Sequence, residues 1–472
     1  MNRKIPLIIL SLLTMITLSF FLINHKSESI PKTEKINKEK DYDILIYSSK
    51  FPDDNFKDLF EKYKSYSGNV VGLIKGKEDN SDLENYINSE NSPDIFSITN
   101  FNELKKQKSL GNIFDFINSS HQSFKEVTEK IPDKLKLGVD EINNCGIPLT
   151  IEGFGLILNT KVLSKIFGNS AYKSVINDLK TCDFNNFLNF VKEIRRYINK
   201  ENVKDLKING NTYKLNDDFS LSCVFSMPTG TNYILMLNSA LALKFNSFAE
   251  TQKAKSLNSC FDVLKSFCES IDCVAQNTIF GKDTFLNDSK VNSESKNLNK
   301  FANDQSLFYI GSDSVYEKIQ ILNPAMSKNL IHIPYKIDAN ENEIVRKNFK
   351  SSITIFCPIY LAINSKSKKL NIAQDFLSWL KMSPVARELM TSKLKFVQYD
   401  SEETNLIENP LSISTLNYLK SDNYLPFISR TFPENWKNNV ENKIKTYLKI
   451  KNWESSFPKD FASFCLNEFI NN

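Results

Sequence analysis

The sequence predicts an α/β fold arranged in two lobes, and three observations predict it. Short apolar runs alternate with amphipathic helical patterns from Asp43 onward. The chain has 472 residues, more than one small core accommodates and enough for two. Apolar residues make up 41% and charged residues 24%, a globular balance and not a disordered one.

Asp43-Ile44-Leu45-Ile46-Tyr47 reads as a buried strand. Asp53 or Asp54 supplies an N-cap, and Phe56, Leu59, Phe60 and Tyr63 recur at the spacing of one helix face. Residues 70–74 read as a second strand, 81–88 as a helix, and 93–98 as a third strand that stops at Thr99-Asn100-Phe101. Strands alternating with helices imply a mostly parallel sheet. Ligands bind beyond the carboxyl ends of such strands, which points to Tyr47 and Ser49 and to Asn100 and Phe101.

Residues 146–159 read Gly-Ile-Pro-Leu-Thr-Ile-Glu-Gly-Phe-Gly-Leu-Ile-Leu-Asn, two extended runs around Glu152. A lone acid among apolar strand residues is unfavourable to bury without a partner, and a ligand hydroxyl is one such partner. Beyond it, 183–198 is amphipathic, with Phe187, Val191, Ile194 and Ile198 on one side. Residues 227–242 form a mostly apolar helical stretch that opens near Pro228-Thr229-Gly230-Thr231, and 261–271 read as another helix. The Asn- and Ser-rich stretch 283–303 reads as a surface loop or ragged helix. A strand at 307–310 ends at Gly311-Ser312-Asp313, and 353–364 form a long apolar strand region. Ile372, Phe376, Trp379 and Leu380 mark a helix, Ser383 caps the next one with Pro384 in its first turn, and the tail carries Trp436, Val440 and Ile444 along one face. There is no internal repeat.

The leader is the clearest local signal. Arg3 and Lys4 precede nineteen uncharged residues, Ile5 to Ile23. That run is close to the ~20 residues a membrane-spanning helix needs. It ends Phe20-Phe21-Leu22-Ile23-Asn24 without the small residues of a cleavage site, and no cysteine follows for lipid attachment. An uncleaved signal anchor at 1–24 is expected, with cleavage and release as the alternative. The two basic residues orient the body to the outside. Residues 25–40 are a polar tether.

Net charge is +5, yet the first forty residues hold seven Lys or Arg against three Asp or Glu, which leaves 53 bases and 52 acids elsewhere. A nearly neutral body gives no basic stripe for nucleic acid. The eight cysteines include no C-x-x-C pair and sit mostly among apolar neighbours, as small hydrophobes do. A disulfide among Cys260, Cys268 and Cys273 is the alternative in an exported chain, and sequence does not settle the pairing.

Four stretches resemble the large family of extracellular solute-binding proteins of ABC importers, which includes maltose-binding protein and its sugar-binding relatives. They are Ser92-Pro93-Asp94-Ile95-Phe96; the segment Ile147 to Asn159 around Glu152; Leu361-Ala362-Ile363-Asn364 through Trp379-Leu380 and Ser383-Pro384; and the tail from Pro433 to Val440. The resemblance implies a two-lobed periplasmic-binding-protein-like fold with a ligand cleft between lobes joined by hinge segments. It also implies an aromatic-lined site that closes around ligand and presents both lobes to a membrane permease. The expected division is 41–150 plus 335–397 for the first lobe and 151–334 plus 398–472 for the second. Many sugar-binding relatives carry Trp after the Gly that Gly311 matches, whereas this chain has Ser312-Asp313 there and only three Trp in all.

Each candidate ligand residue has a plainer alternative. Glu152 accepts a ligand hydroxyl or makes a salt bridge at the hinge. Asn100 and Phe101 line the cleft or serve as helix cap and core. Asp313 and Tyr316 line the cleft or cap and pack a helix. Thr229 and Tyr233 line the cleft or begin a helix and its core. Tyr47 and Ser49 are placed by the end of the first strand, and Tyr360 is a further cleft candidate. Arg430 reaches ligand or is an exposed charge, and Trp436 stacks on ligand or anchors the last helix pair. Catalytic constellations are weak: the three His (His25, His121, His332) are far apart in sequence and no nucleophile elbow or His-Glu-x-x-His exists. The expectation is a monomeric, cofactor-free and metal-free receptor for a small solute, a sugar first, working with an ABC permease outside the membrane. A polyamine or other small cation, or a role as a membrane-tethered sensor, is the alternative.

Overall fold

The computed structural model describes residues 42–49, 53–77, 80–137, 144–216, 221–226, 233–246, 250, 257–278, 294–339, 344, 346–402, 404–449 and 457–471. The leader, the tether and Thr229 lie outside the described residues. No helix among the described residues is long and apolar enough to cross a membrane.

The strands in chain order are β1 (Ile44–Ser48), β2 (Val71–Lys75), β3 (Ile95–Ile98), β4 (Ile147–Pro148), β5 (Glu152–Asn159), β6 (Asp205–Ile208), β7 (Asn211–Lys214), β8 (Cys223–Ser226), β9 (Ser306–Ser312), β10 (Leu330–Ile333), β11 (Ile353–Phe356), β12 (Tyr360–Ile363) and β13 (Tyr424–Pro426). They build two sheets and a small β6–β7 hairpin. The first sheet runs β2-β1-β3-β12-β4, parallel over β2, β1 and β3, with β12 antiparallel to both neighbours. The second runs β13-β11-β5-β9-β8, with β10 pairing β5 beyond β11. This is the expected α/β fold in two lobes.

The strands are near-continuous apolar runs because helices cover both faces of each sheet. On one face of the first sheet, Ile44, Ile46 and Ile95 pack with Phe56, Leu59, Tyr63, Phe376 and Trp379; on the other, Tyr47, Ile74 and Phe96 pack with Phe101 and Leu104. The second lobe has its own large core, in which Phe154, Leu156 and Leu158 of β5 meet Phe187, Phe190, Phe225 and Phe308. The helix expected at 183–198 forms over Phe184–Ile198, and Asp183 Oδ1 caps it by accepting from Asn186 N at 2.8 Å. Part of the stretch read as loop or ragged helix is the helix Glu294–Ala302.

The stretch 353–364 is two strands in two different sheets. β11 pairs β5 in the second sheet and β12 pairs β3 in the first, so Cys357-Pro358-Ile359 crosses between them. Pro358 has no N–H for a ladder, which suits the break. The 335–397 range expected for the first lobe is therefore shared, since β11 belongs to the second sheet. Leu149–Ile151 makes a second crossing and the chain near Val397 a third. Leu149 N donates to Ile359 O at 3.0 Å, Ile151 N to Val397 O at 2.8 Å, and Val397 N to Thr150 Oγ1 at 3.0 Å. One apolar core runs along this junction, from Ile147 and Leu149 through Ile151, Ile355 and Ile359 to Leu416 and Tyr418.

The described cysteine side chains pack as small hydrophobes. Cys182, Cys268, Cys273 and Cys357 are buried free thiols, and burial raises the titration of each. The alternative of a disulfide joining Cys268 to Cys273, or either to Cys260, is not what the chain forms.

Two glycines of β5 let neighbours approach. A Cβ on Gly155 would lie 2.6 Å from Ile333 O, and one on Gly153 would lie 2.3 Å from Thr415 Oγ1. Gly155→Ala should destabilise the protein by about 1–3 kcal/mol, because the obstructing atom is backbone of β10 and has no rotamer to escape into. Denaturant unfolding with the slope unchanged is the measurement.

Candidate functional site

The crossings form the floor of a crevice of about 600 Å³ between the lobes. Thr150, Ile151, Glu152, Pro358, Ile359, Phe396 and Val397 make that floor. The walls are the start of helix Val315–Leu322 with Asp313 and Ser314, the start of helix Pro410–Lys420 with Asn409 and Ser412, and Thr391 and Leu394 from the end of helix Pro384–Ser392. Volumes of about 300–1,000 Å³ suit small-molecule ligands.

Glu152 opens β5 and is half-buried at the edge of the second lobe. Its Oε2 accepts from Ser312 Oγ at 2.8 Å, and Ser312 Oγ lies 2.8 Å from Ser314 Oγ. The surrounding protein excludes water, and the charge of Asp313 adds to that, so the Glu152 carboxyl is pushed up to about 7. Asp313 is 3% exposed and directly follows β9. Its Oδ1 takes three donors: Gly153 N at 3.2 Å, Thr415 Oγ1 at 3.0 Å and the ring nitrogen Nε2 of His332 at 2.6 Å. Asp313 Oδ2 and His332 Nδ1 are buried with no hydrogen-bond partner in the protein.

A second set of contacts joins the lobes. Arg430 donates to the hydroxyl of Tyr360 on β12 and to Lys136 O, while Tyr360 Oη donates to Leu135 O at 3.0 Å. Nearby, Lys134 Nζ bonds Asp422 at 2.8 Å and sits 4.1 Å from the centre of the Tyr424 ring.

A third polar group lies at the carboxyl end of the first sheet. Asn80, in the left-handed region at φ 56°, donates from Nδ2 to Glu103 Oε2 at 2.9 Å. Burial pushes the Glu103 carboxyl up to about 7. Ser49 Oγ is buried there with no partner in the protein.

Of the residues singled out in the sequence, Glu152, Asp313 and Tyr316 meet in the crevice. Tyr360 and Arg430 meet each other across the lobes. Ser49 is half-buried just after β1, and Asn100 is an exposed N-cap whose Oδ1 accepts from Glu103 N at 2.7 Å. Six of the aromatics are buried in the core clusters, Tyr316 and Tyr360 among them. Tyr47 is fully buried and its hydroxyl donates to Asp82 at 2.6 Å. Phe101, Tyr233 and Trp436 are buried as well, Trp436 edge-on to Phe432 at 4.7 Å. Their periodicity marks both lining and packing, and here hydrophobic burial wins. Thr229 lies outside the described residues.

Thr150, Ser314, Phe396 and Ser412 also line the crevice, with His332 behind Asp313, and none of these was a ligand candidate from sequence. The triplet Ser312-Asp313-Ser314 after a strand is a visible polar signal. His332 and Phe396 carry no local one, because β10 reaches Asp313 only through pairing with β5.

No protein-family model matches the chain, and no curated protein does. Solved structures do match. The bacterial solute receptor AcbH, described with a preference for β-D-galactopyranose, aligns at TM-score 0.64 with 9% identity, over 90% of this chain and 97% of that one. A family 1 extracellular solute-binding protein from Bifidobacterium longum subsp. infantis aligns at 0.62 with 15% identity, over 91% and 99%. A chitin oligosaccharide binding protein aligns at 0.58 with 11% identity, over 90% and 98%. At these identities the likeness is one of fold, and the chain has the two-lobed fold of the extracellular solute-binding proteins.

The titration of Glu152 has a stability consequence. Its carboxyl is raised from an ordinary 4.5 to about 7 in the folded chain. Between those values the folded state binds more protons than the unfolded state, so this group lowers stability as pH rises. Glu152→Gln should therefore leave stability unchanged near about pH 4 and raise it above neutrality by at most about 3 kcal/mol. Urea unfolding across the range reads the difference, and a variant destabilised at every pH would refute the assignment.

Proposed function

We propose that the chain is the solute-binding subunit of an ABC-type importer, works on the extracytoplasmic side of a membrane, and binds carbohydrate. The observation that carries this reading is the crevice floored by three interlobe crossings and lined by Glu152, Asp313, Ser314, Tyr316 and Phe396. Sugars need polar groups for their hydroxyls and ring faces for their C–H surfaces, and this lining offers both. The fold neighbours support it: the receptors named above are described with galactopyranose and chitin oligosaccharide, and another, RafE, with raffinose at TM-score 0.54.

In this reading Glu152 and Ser314 accept and donate to sugar hydroxyls, while Tyr316 and Phe396 offer ring surface. The crossings act as hinges, and closure of the lobes on ligand presents both to a permease. Nothing in the arrangement calls for catalysis, and the chain is proposed as a binding protein. The uncharged run at 5–23 is proposed to hold it at the membrane, with the body outside.

A thermal-shift screen of mono- and oligosaccharides tests the proposal. A ligand present at a hundred times its Kd should add about 2.7 kcal/mol of apparent stability, a rise of several degrees. Phe396→Ala and Glu152→Gln should each reduce that rise. A folded protein that no saccharide stabilises would defeat the reading.

A further inference from the structure

The charge of the crevice narrows the ligand beyond sugar in general. Four carboxylates line it: Glu152, Asp313, Glu317 and Glu408. Among the described lining residues the one Lys or Arg is Lys395, and its Nζ is committed to Glu408 at 3.0 Å. His332 stands behind Asp313 and is bonded to its Oδ1, not to Oδ2. The crevice is therefore rich in negative charge, with two adjacent acids held in a water-poor setting.

Asp313 makes this more than a cluster of surface acids. It is 3% exposed, its Oδ1 is fully used, and its Oδ2 finds no partner in the protein. A buried carboxylate oxygen without a donor is unfavourable. Beside it, Glu152 is held up to about 7 by loss of water and by the charge of Asp313. A cation with several N–H donors entering beside Glu152 offers that carboxylate hydrogen bonds and gives the buried Asp313 behind it a counter-charge. Among the described residues no group of three His, Cys, Asp or Glu converges to hold a metal ion. The rings of Tyr316 and Phe396 in the same lining suit an organic cation with an apolar face.

We propose that the crevice selects a sugar that carries a free, protonated amino group, with the ammonium between Glu152 and Asp313. This rests on the carbohydrate-binding reading above. A neutral sugar supplies hydroxyl donors but leaves the two acids repelling each other. An amino sugar supplies donors and counter-charge together. Binding should then pull Glu152 into its ionised form, and at neutral pH a proton should leave as the ligand arrives.

Isothermal titration calorimetry on the full-length chain tests this, with glucosamine oligomers, their N-acetylated counterparts and neutral glucose oligomers as probes. Two buffers of different ionisation enthalpy report the proton. The free-amine oligomers are expected to bind about tenfold or more tighter than the N-acetylated ones, with affinity falling as salt rises and with proton release near neutral pH. Glu152→Gln should narrow that preference by about tenfold, and its unfolding curve shows whether it is folded. Asp313→Asn removes the acceptor of Gly153, Thr415 and His332 and is the less clean variant, so the test rests on Glu152. If N-acetylated or neutral sugars bind as well as the amines, with no proton exchange, this inference fails and the carbohydrate-binding reading stands. If no sugar of any kind binds the folded protein, both fail.

Discussion

The arrangement of this protein depends on three short chain segments that cross between two sheets and hold one another. Leu149 N to Ile359 O and Ile151 N to Val397 O tie each crossing to the next. An isolated extended linker would be free to wander. Here the crossings share a dry apolar core with Ile147, Ile355 and Leu416, and relative motion of the lobes must bend this ribbon as a unit. Strand order follows from it: β11 and β12 are consecutive in sequence and sit in different sheets because the segment between them is a crossing.

The polar chemistry collects where the apolar core stops. β5 changes character at its first residue, from the buried Phe154, Leu156 and Leu158 to Glu152. β9 does the same at its last, where Ser312 and Asp313 follow Ile310 and Gly311. These ends are adjacent because the strands pair with Phe154 opposite Ser312. Gly153 and Gly155 let helix Pro410–Lys420 and β10 close in from the side, and that helix supplies Thr415 to Asp313. Electrostatics at the crevice are thus a product of register and of two missing side chains.

The aromatics divide by the same rule. Phe187 stacks on Phe190 and Phe225 on Phe308 in the second lobe, while in the first Tyr63 meets Phe376 edge-on and Trp379 at a tilt. Trp436 joins the core against Phe432 and is fully buried there. Ring surface at the crevice comes mainly from the half-buried Phe396, since Tyr316 is itself buried, and the carboxylates and hydroxyls are set among apolar residues such as Ile151, Ile359 and Val397.

The sequence by itself determined the α/β class, the run of strands from Ile44 to Ile98, the amphipathic helix ending at Ile198 and the pairing of an acid with a strand end at Glu152. Each of these is written in local periodicity, which records which face of an element is buried. Only the tertiary structure decided which strand ends meet. The apolar stretch 353–364 looks the same whether it serves one sheet or two, and nothing near His332 or Phe396 announces a partner 19 residues away in Asp313 or a place beside Glu152. Likewise Tyr47, Phe101, Tyr233 and Trp436 have the spacing of lining and of core alike. Periodicity says that a face is covered, not by what, and the coverage here comes from contacts far apart in the chain.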